Sequence, residues 1–415
     1  MAYRAAQRII GLAGALALWL GVVAVPGSAQ DSRFPIASDS RLAGDETRTR
    51  FVMDLTRKIE LRAFTLADPY RVVLDLPQVS FNLAPRTGDQ GRGLVSAFRF
   101  GLVMQGGSRI VLDLKKPVRI ERAFVLDPAQ GQPARLVLDL VAVDRATFLQ
   151  ALATESRPKP PAPAKGTERQ PVVPGDPRPI VVLDPGHGGI DRGASSPKGG
   201  IAEKDIVLDF GLILRDQLEE TGRYRVVMTR SDDTFITLGQ RIQIARDRGA
   251  HLFISIHADA LRRGQAQGAT VYTLSETASD RDAARLAEDE NKADVISGID
   301  LAQEADDVAG ILFDLARRET KAYSTRFART LVGELKSTAR LHRNPLRSAG
   351  FKVLRSPDVP SVLLELGYVS NEADLKQLMS QRWRERTSRS MVQAIDAFFE
   401  AQGHGPTAVA RPRLR

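Results

Sequence analysis

The chain contains no cysteine. Disulfides, a thiolate nucleophile and a cysteine-ligated metal are therefore excluded, and any bound zinc must be held by histidine and carboxylate. Histidine is scarce too, with five in 415 residues. There is no compact His-Glu-x-x-His segment, so a metal site has to be assembled from distant positions. No twin-arginine pair precedes the N-terminal apolar run, which favours general secretion over the folded-protein route. Lys and Arg outnumber Asp and Glu, 59 to 50, for a net charge of +9. These basic residues are dispersed and not interleaved with aromatics, so nucleic acid is not an expected partner. An anionic wall or membrane surface accounts for the charge equally well.

What is present begins with a secretory signature over residues 1–29. Arg4 and Arg8 precede an apolar stretch from Ile9 to Val25, and Pro26-Gly-Ser-Ala29 ends in small residues, as a signal peptidase requires. The alternative is an uncleaved anchor, because the apolar run approaches the length of a span. After cleavage no stable membrane span is expected.

Residues 31–147 carry a repeated phrase: Arg50-Phe-Val-Met-Asp54, Arg71-Val-Val-Leu-Asp75, Arg109-Ile-Val-Leu-Asp113 and Arg135-Leu-Val-Leu-Asp139. Strand alternation puts Arg and Asp of each copy on one face. Turn signals at Asp68-Pro69, Gly106-Gly107 and Gly131-Gln-Pro133 separate the runs. The spacing predicts a small all-β sandwich. A proline-rich linker is expected over 148–178, with eight prolines between 157 and 179.

From 179 to 402 strand-like and helix-like patterns alternate, which predicts an α/β domain, a mixed sheet with helices on both faces. Expected strands are Ile180–Leu183, Val226–Thr229, Leu252–His257, Val271–Leu274, Phe351–Leu354 and Val362–Leu366. Expected helices run over Glu203–Glu220, Leu238–Arg248 and Trp383–Ala401, with Asn371 capping another. Residues 277–336, rich in Ala, Asp, Glu and Arg without a strand signal, read as a helical insert. Residues 403–415 form a basic tail.

Four residues stand out against this pattern. His187 and His257 each follow an apolar run and precede a small residue; Glu365 ends such a run, and Glu203 opens an amphipathic stretch. In α/β sheets ligands collect beyond the carboxyl ends of strands. Two histidines and one glutamate leave an open position for water, with a second glutamate as base. Each has a plainer role: a loop hydrogen bond for His187, a half-buried ring for His257, a helix-end charge for Glu203. Glu365 is the hardest to explain structurally, since a carboxylate in an apolar strand is costly. Asp184 is expected to order the His187 loop or its ring, and Ser255 and Asp259 flank His257.

Leu183-Asp-Pro-Gly-His-Gly-Gly189, Glu203-Lys204, Ser255-Ile-His-Ala-Asp259 and Leu364-Glu-Leu-Gly-Tyr-Val-Ser-Asn371 resemble the zinc-dependent N-acetylmuramoyl-L-alanine amidases of the bacterial cell wall. Thr229–Ile236 and Leu238-Gly-Gln-Arg241 match as well, and the likeness spans about residues 178–400. It implies one Zn2+ on His187, Glu203 and His257, Glu365 as catalytic acid/base, and peptidoglycan as substrate. The β-domain resembles, less specifically, the AMIN-like localisation domain of such enzymes, which implies peptidoglycan binding and recruitment to the division site; the secretory signature implies a periplasmic protein. In similar division amidases a helix of the insert covers the zinc. By that likeness Glu290, with Glu288 second, is the candidate inhibitory ligand, and a LytM-type activator the expected partner. The run could equally be a solvated acidic face. Two competing functions remain: a non-catalytic wall-binding relic, and a peptidase of the stem peptide.

Overall fold

The computed structural model describes residues 34–104, 106–129, 131–154, 176–197, 200–260, 267–296 and 312–403. The secretory signature, most of the linker, residues 297–311 of the insert and the tail beyond 403 lie outside the described residues.

Nine strands come first: β1 (Ile36–Gly44), β2 (Arg48–Leu55), β3 (Arg62–Leu66), β4 (Arg71–Pro77), β5 (Ser80–Phe81), β6 (Val95–Met104), β7 (Gly107–Leu114), β8 (Val118–Leu126) and β9 (Ala134–Ala142). They form two sheets, β5-β1-β2-β9-β8 and β3-β4-β7-β6, which pack around Phe51, Val72, Leu74, Leu112 and Leu138. This is the sandwich that the alternation predicts. The antiparallel register explains the repeated phrase: Arg50 lies opposite Asp139, and Asp75 opposite Arg109. Arg50 bonds Asp139 through Nε and Nη2 at 2.6 and 2.9 Å, and Arg109 bonds Asp75 at 2.6 and 3.0 Å. Each copy thus supplies the cross-strand partner of another, a pairing that fixes register. Helix α1 (Arg145–Thr154) follows and occupies the start of the segment read as linker; its Phe148 packs edge-on against Tyr70.

The second domain contains β10 (Ile180–Pro185), α2 (Glu203–Glu220), β11 (Arg225–Met228), α3 (Leu238–Asp247), β12 (Leu252–His257), β13 (Ala269–Leu274), α4 (Arg281–Glu290), α5 (Ala293–Ile296), α6 (Leu312–Leu335), β14 (Leu341–Ala349), β15 (Ser361–Glu365), α7 (Glu372–Leu378) and α8 (Gln381–Glu400). The strand order is β11-β10-β12-β15-β13-β14. β13 runs antiparallel to β15, and the other pairings are parallel. Alternate residues of the central strands feed two cores. Val181, Leu183, Ile254 and Leu364 face α2, α6 and α8, whereas Val182, Phe253 and Leu363 face α3 and α4. Strands buried on both faces account for their unbroken apolar runs. In α2 the buried Ile206, Val207, Phe210, Leu214 and Leu218 form one helical stripe. A reciprocal capping box of Thr237 and Gln240 starts α3.

One expected strand is corrected. Phe351–Leu354 is not a strand: Lys352–Leu354 makes a 3-10 turn, and the edge strand is β14. That strand is largely polar and contains Pro345, which the edge tolerates where the register shifts next to β13. The apolar Phe351–Leu354 is buried as part of the second core instead.

Candidate metal centre

Parallel pairing of β12 with β15 sets His257 directly opposite Glu365 at the carboxyl ends of both strands. β10 pairs with β12 up to Pro185, which delivers His187 two residues later beside them. His187 holds a left-handed backbone, φ 58°, uncommon for a residue with a side chain. Buried arginines fix that turn. Arg241 donates to the His187 carbonyl at 2.8 Å, to the Pro185 carbonyl at 3.0 Å and to Asp184 Oδ1 at 2.7 Å. Arg230 donates to the carbonyls of Pro185, Gly186 and Lys204 at 2.8–2.9 Å. Burial, with Arg241 nearby, pulls the Arg230 guanidinium down to about 10. Gly186 makes room for the cluster, because a Cβ there would lie 2.3 Å from the His257 ring.

Glu203, at the start of α2, is fully buried. Its Oε2 accepts from the Ala194 N–H at 2.9 Å and its Oε1 from the Ala258 N–H at 2.8 Å. The same Oε1 lies 3.2 Å from both His187 Nε2 and His257 Nδ1. Glu290, the last residue of α4, brings its Oε2 to 3.3 Å from His257 Nδ1 and 3.8 Å from His187 Nε2. Glu288 points elsewhere: it is exposed and pairs with Lys292. Glu365 Oε2 accepts from the Asp259 N–H at 3.0 Å.

Three buried atoms in this cluster lack a hydrogen-bond partner among the described residues: His187 Nε2, His257 Nδ1 and Glu365 Oε1. Leaving such groups unmatched is costly, and the two ring nitrogens face each other's neighbourhood with carboxylate oxygens between them. His187, His257 and Glu290 offer ligand atoms that all lie within 4.8 Å of one another. A donor set of two imidazoles and carboxylate, without sulfur, suits a divalent ion such as zinc. The residual space among Asp184, His187, Arg241, His257 and Glu290 is about 10 Å³, close to the room one water needs.

Charge follows from this packing. Burial alone would lower the His187 imidazole, but Glu203, Asp191 and Glu290 outweigh it and raise it well above the ordinary value. Burial works against the Glu203 carboxylate, yet the two histidines hold it well below the ordinary range. Burial pushes Glu365 well above that range, and Glu203, Asp259 and Glu290 add to the shift. Asp259 is pushed up to about 8 by burial and then by Glu203 and Glu290.

The structure therefore brings His187, Glu203, His257, Glu290 and Glu365 to one place. It also contains supports that sequence reasoning missed. Asp191 Oδ2 lies 2.9 Å from His187 Nδ1 and is the acidic partner of that ring. Asp184 accepts from Thr229, Ser255 and Arg241 and orders the loop through Arg241. A signal for Arg241 existed: it shares the buried face of α3 with Leu238 and Ala245, where a solvated cation does not belong.

A mixed sheet with histidines and buried glutamates gathered beyond its strand ends defines an α/β domain with one metal-competent centre among the described residues. The family of N-acetylmuramoyl-L-alanine amidases matches residues 181–397, and the AMIN domain matches residues 39–140. The chain is 34% identical to N-acetylmuramoyl-L-alanine amidase AmiC of Escherichia coli O6:H1, over 94% of each chain. It is 34% identical to AmiC of Neisseria meningitidis serogroup B, over 89% of this chain and 92% of that one. Identity to AmiA of Escherichia coli K12 is 37%, over 53% of this chain and 76% of that protein. The chain belongs to the N-acetylmuramoyl-L-alanine amidase family. No helix among the described residues is long and apolar enough to cross a membrane.

Proposed function

We propose that this chain is a periplasmic peptidoglycan hydrolase that holds one zinc ion on His187, Glu203 and His257. It cleaves the amide between the lactyl group of N-acetylmuramic acid and L-alanine of the stem peptide, in the service of daughter-cell separation. The observation that carries the reading is the convergence of Glu203 Oε1 with two otherwise unpartnered ring nitrogens, 3.2 Å from each, beside the buried Glu365.

Zinc held there supplies Lewis acidity, polarising the scissile carbonyl and acidifying nearby water. The remaining chemistry belongs to the chain. Glu365 keeps Oε2 on the Asp259 N–H and leaves Oε1 free of partners. Oε1 takes the proton from the attacking water and returns it to the departing alanine nitrogen, a poor leaving group until protonated. Asp191 sets the tautomer of His187 by receiving its Nδ1–H.

Glu290 closes the centre in the resting enzyme. Its carboxylate lies among the ligand atoms, and the residual space beside it is about 10 Å³. Activation then requires α4 to withdraw, and a LytM-type protein is the expected agent. The AMIN-family sandwich serves localisation.

The test is release of dye-labelled material from purified sacculi, with fragments identified by mass spectrometry. Wild type frees intact stem peptides from glycan. Glu365→Gln keeps full zinc and loses release by at least ~10²-fold. Glu290→Ala raises basal release. Shortened stems as the only product would mark a peptidase, and undiminished release by Glu365→Gln would remove that residue from the mechanism.

A further inference from the structure

The sandwich and the α/β domain meet at a small cluster that belongs to neither core. Leu66, Val73 and Val111 from the sheet β3-β4-β7-β6 are buried with Ile190 and Phe235 of the α/β domain. Alternation puts Val73 on the face that carries Arg71 and Asp75, opposite Val72 and Leu74, which fill the sandwich core. Its cover therefore has to come from outside the sandwich. β6 approaches the glycine loop closely: the Ile190 N–H donates to the Leu102 carbonyl at 3.3 Å. At Gly189, φ 55°, a Cβ would lie 2.0 Å from that same carbonyl oxygen, so only glycine permits the approach. Ile190 stands between His187 and its partner Asp191, so the sandwich leans on the loop that presents a metal ligand.

A second contact reaches the insert. Arg71 is buried, 3% exposed. Its Nε donates to the Pro69 carbonyl at 3.2 Å, and its Nη1 donates to the carbonyl of Val295 in α5. Val295 is five residues beyond Glu290 in the chain. On its other side α5 is tied to α3, since the buried Asp294 accepts from the Leu238 N–H at 3.0 Å. Asn291, between α4 and α5, donates to the Gly350 carbonyl at 2.9 Å and accepts from the Lys352 N–H at 2.7 Å. Arg71 thus gives the end of the α4–α5 segment an anchor that comes from the sandwich and not from the α/β domain.

We propose that the sandwich is an intramolecular clamp on the regulatory insert: its β3-β4-β7-β6 face docks on Ile190 and Phe235, and Arg71 then holds α5, and through it α4, in the closed position. The consequence for catalysis rests on the assignment of Glu290 as the closing group. The clamp itself does not, because it concerns which domain stabilises residues 281–296. Undocking of the sandwich frees one end of the segment and makes withdrawal of Glu290 easier. The β-domain then regulates the enzyme as well as placing it.

Amide hydrogen exchange of the full chain, read by mass spectrometry, tests this. Two variants attack the clamp separately: Arg71→Ala removes the bond to α5, and Phe64→Glu places a charge in the sandwich face packed against the cluster. Peptides covering 281–296 exchange about tenfold faster in both, the loss expected for a charge-assisted buried hydrogen bond or its docking surface. Peptides from β2, β9, β12 and α8 keep wild-type protection and report that both domains remain folded. Wild-type exchange across 281–296 in both variants, with those controls intact, overturns the clamp. Glu290→Ala is assayed for sacculus release alongside. Unchanged release there sinks the closing role of Glu290, while the exchange of 281–296 in the Arg71 and Phe64 variants still decides the clamp.

Discussion

The imidazole of His187 has different surroundings at its two nitrogens. Nε2 faces Glu203 and Glu290, while Nδ1 lies 2.9 Å from Asp191. An acidic partner on the far nitrogen orients the ring and raises its basicity as a ligand. Asp191→Asn keeps the size of the side chain and removes its charge. Zinc affinity measured by competition with a chelator should fall ~10–100-fold, with the fold unchanged by circular dichroism. Unaltered affinity would detach Asp191 from the centre. His187, His257 and Glu365 were legible as candidates because each ends an apolar run, and strand ends are where α/β sheets gather ligands. Asp191 was not. Its contact depends on the left-handed turn at His187, which carries no period that a sequence scan can detect.

Under the proposed function helix α4 carries the closing group Glu290, and the start of the helix is well defined. Asp280 accepts from the N–H groups of Asp282 and Ala283, both at 3.0 Å, and pairs with Arg347 of β14, Nε to Oδ2 at 2.8 Å. A cap of this kind is worth ~1 kcal/mol. Asp280→Ala should therefore speed exchange across α4 by roughly fivefold and raise basal sacculus release, less than Glu290→Ala does because the plugging carboxylate remains. No change in either readout would mean that α4 is held entirely by its contacts near Glu290. The helical character of this insert was readable from its composition and absence of strand residues. Its anchor strand was not, because β14 is a polar, proline-containing edge whose identity comes from pairing with β13. The apolar Phe351–Leu354 attracted the strand assignment in its place, since burial alone does not distinguish a strand from a packed turn.

At the scale of the whole molecule, two domains are joined by a bridge of a few side chains. Phe51, Leu74, Leu112 and Leu138 belong to the sandwich core, which is built from residues of the first domain. His187, Glu203 and His257 come from β10, α2 and β12 or the loops they enter. Zinc bound at 100 times its dissociation constant stabilises the domain that holds it by ~2.7 kcal/mol. For a domain of this size that corresponds to roughly 5–10 °C in thermal midpoint. The bridging cluster of Leu66, Val73, Val111, Ile190 and Phe235 buries side chains worth ~1.5–3 kcal/mol each, but docking it orders two bodies that can otherwise move independently. Its net value is then small against either core, so it can bias the insert without fusing the domains into one cooperative unit. Calorimetry with and without a chelator separates the cases. Removing the metal should lower the α/β transition and leave the sandwich transition in place. A common shift of both would show that the bridge couples their unfolding, and the clamp would then be a load-sharing interface rather than a local latch on α5.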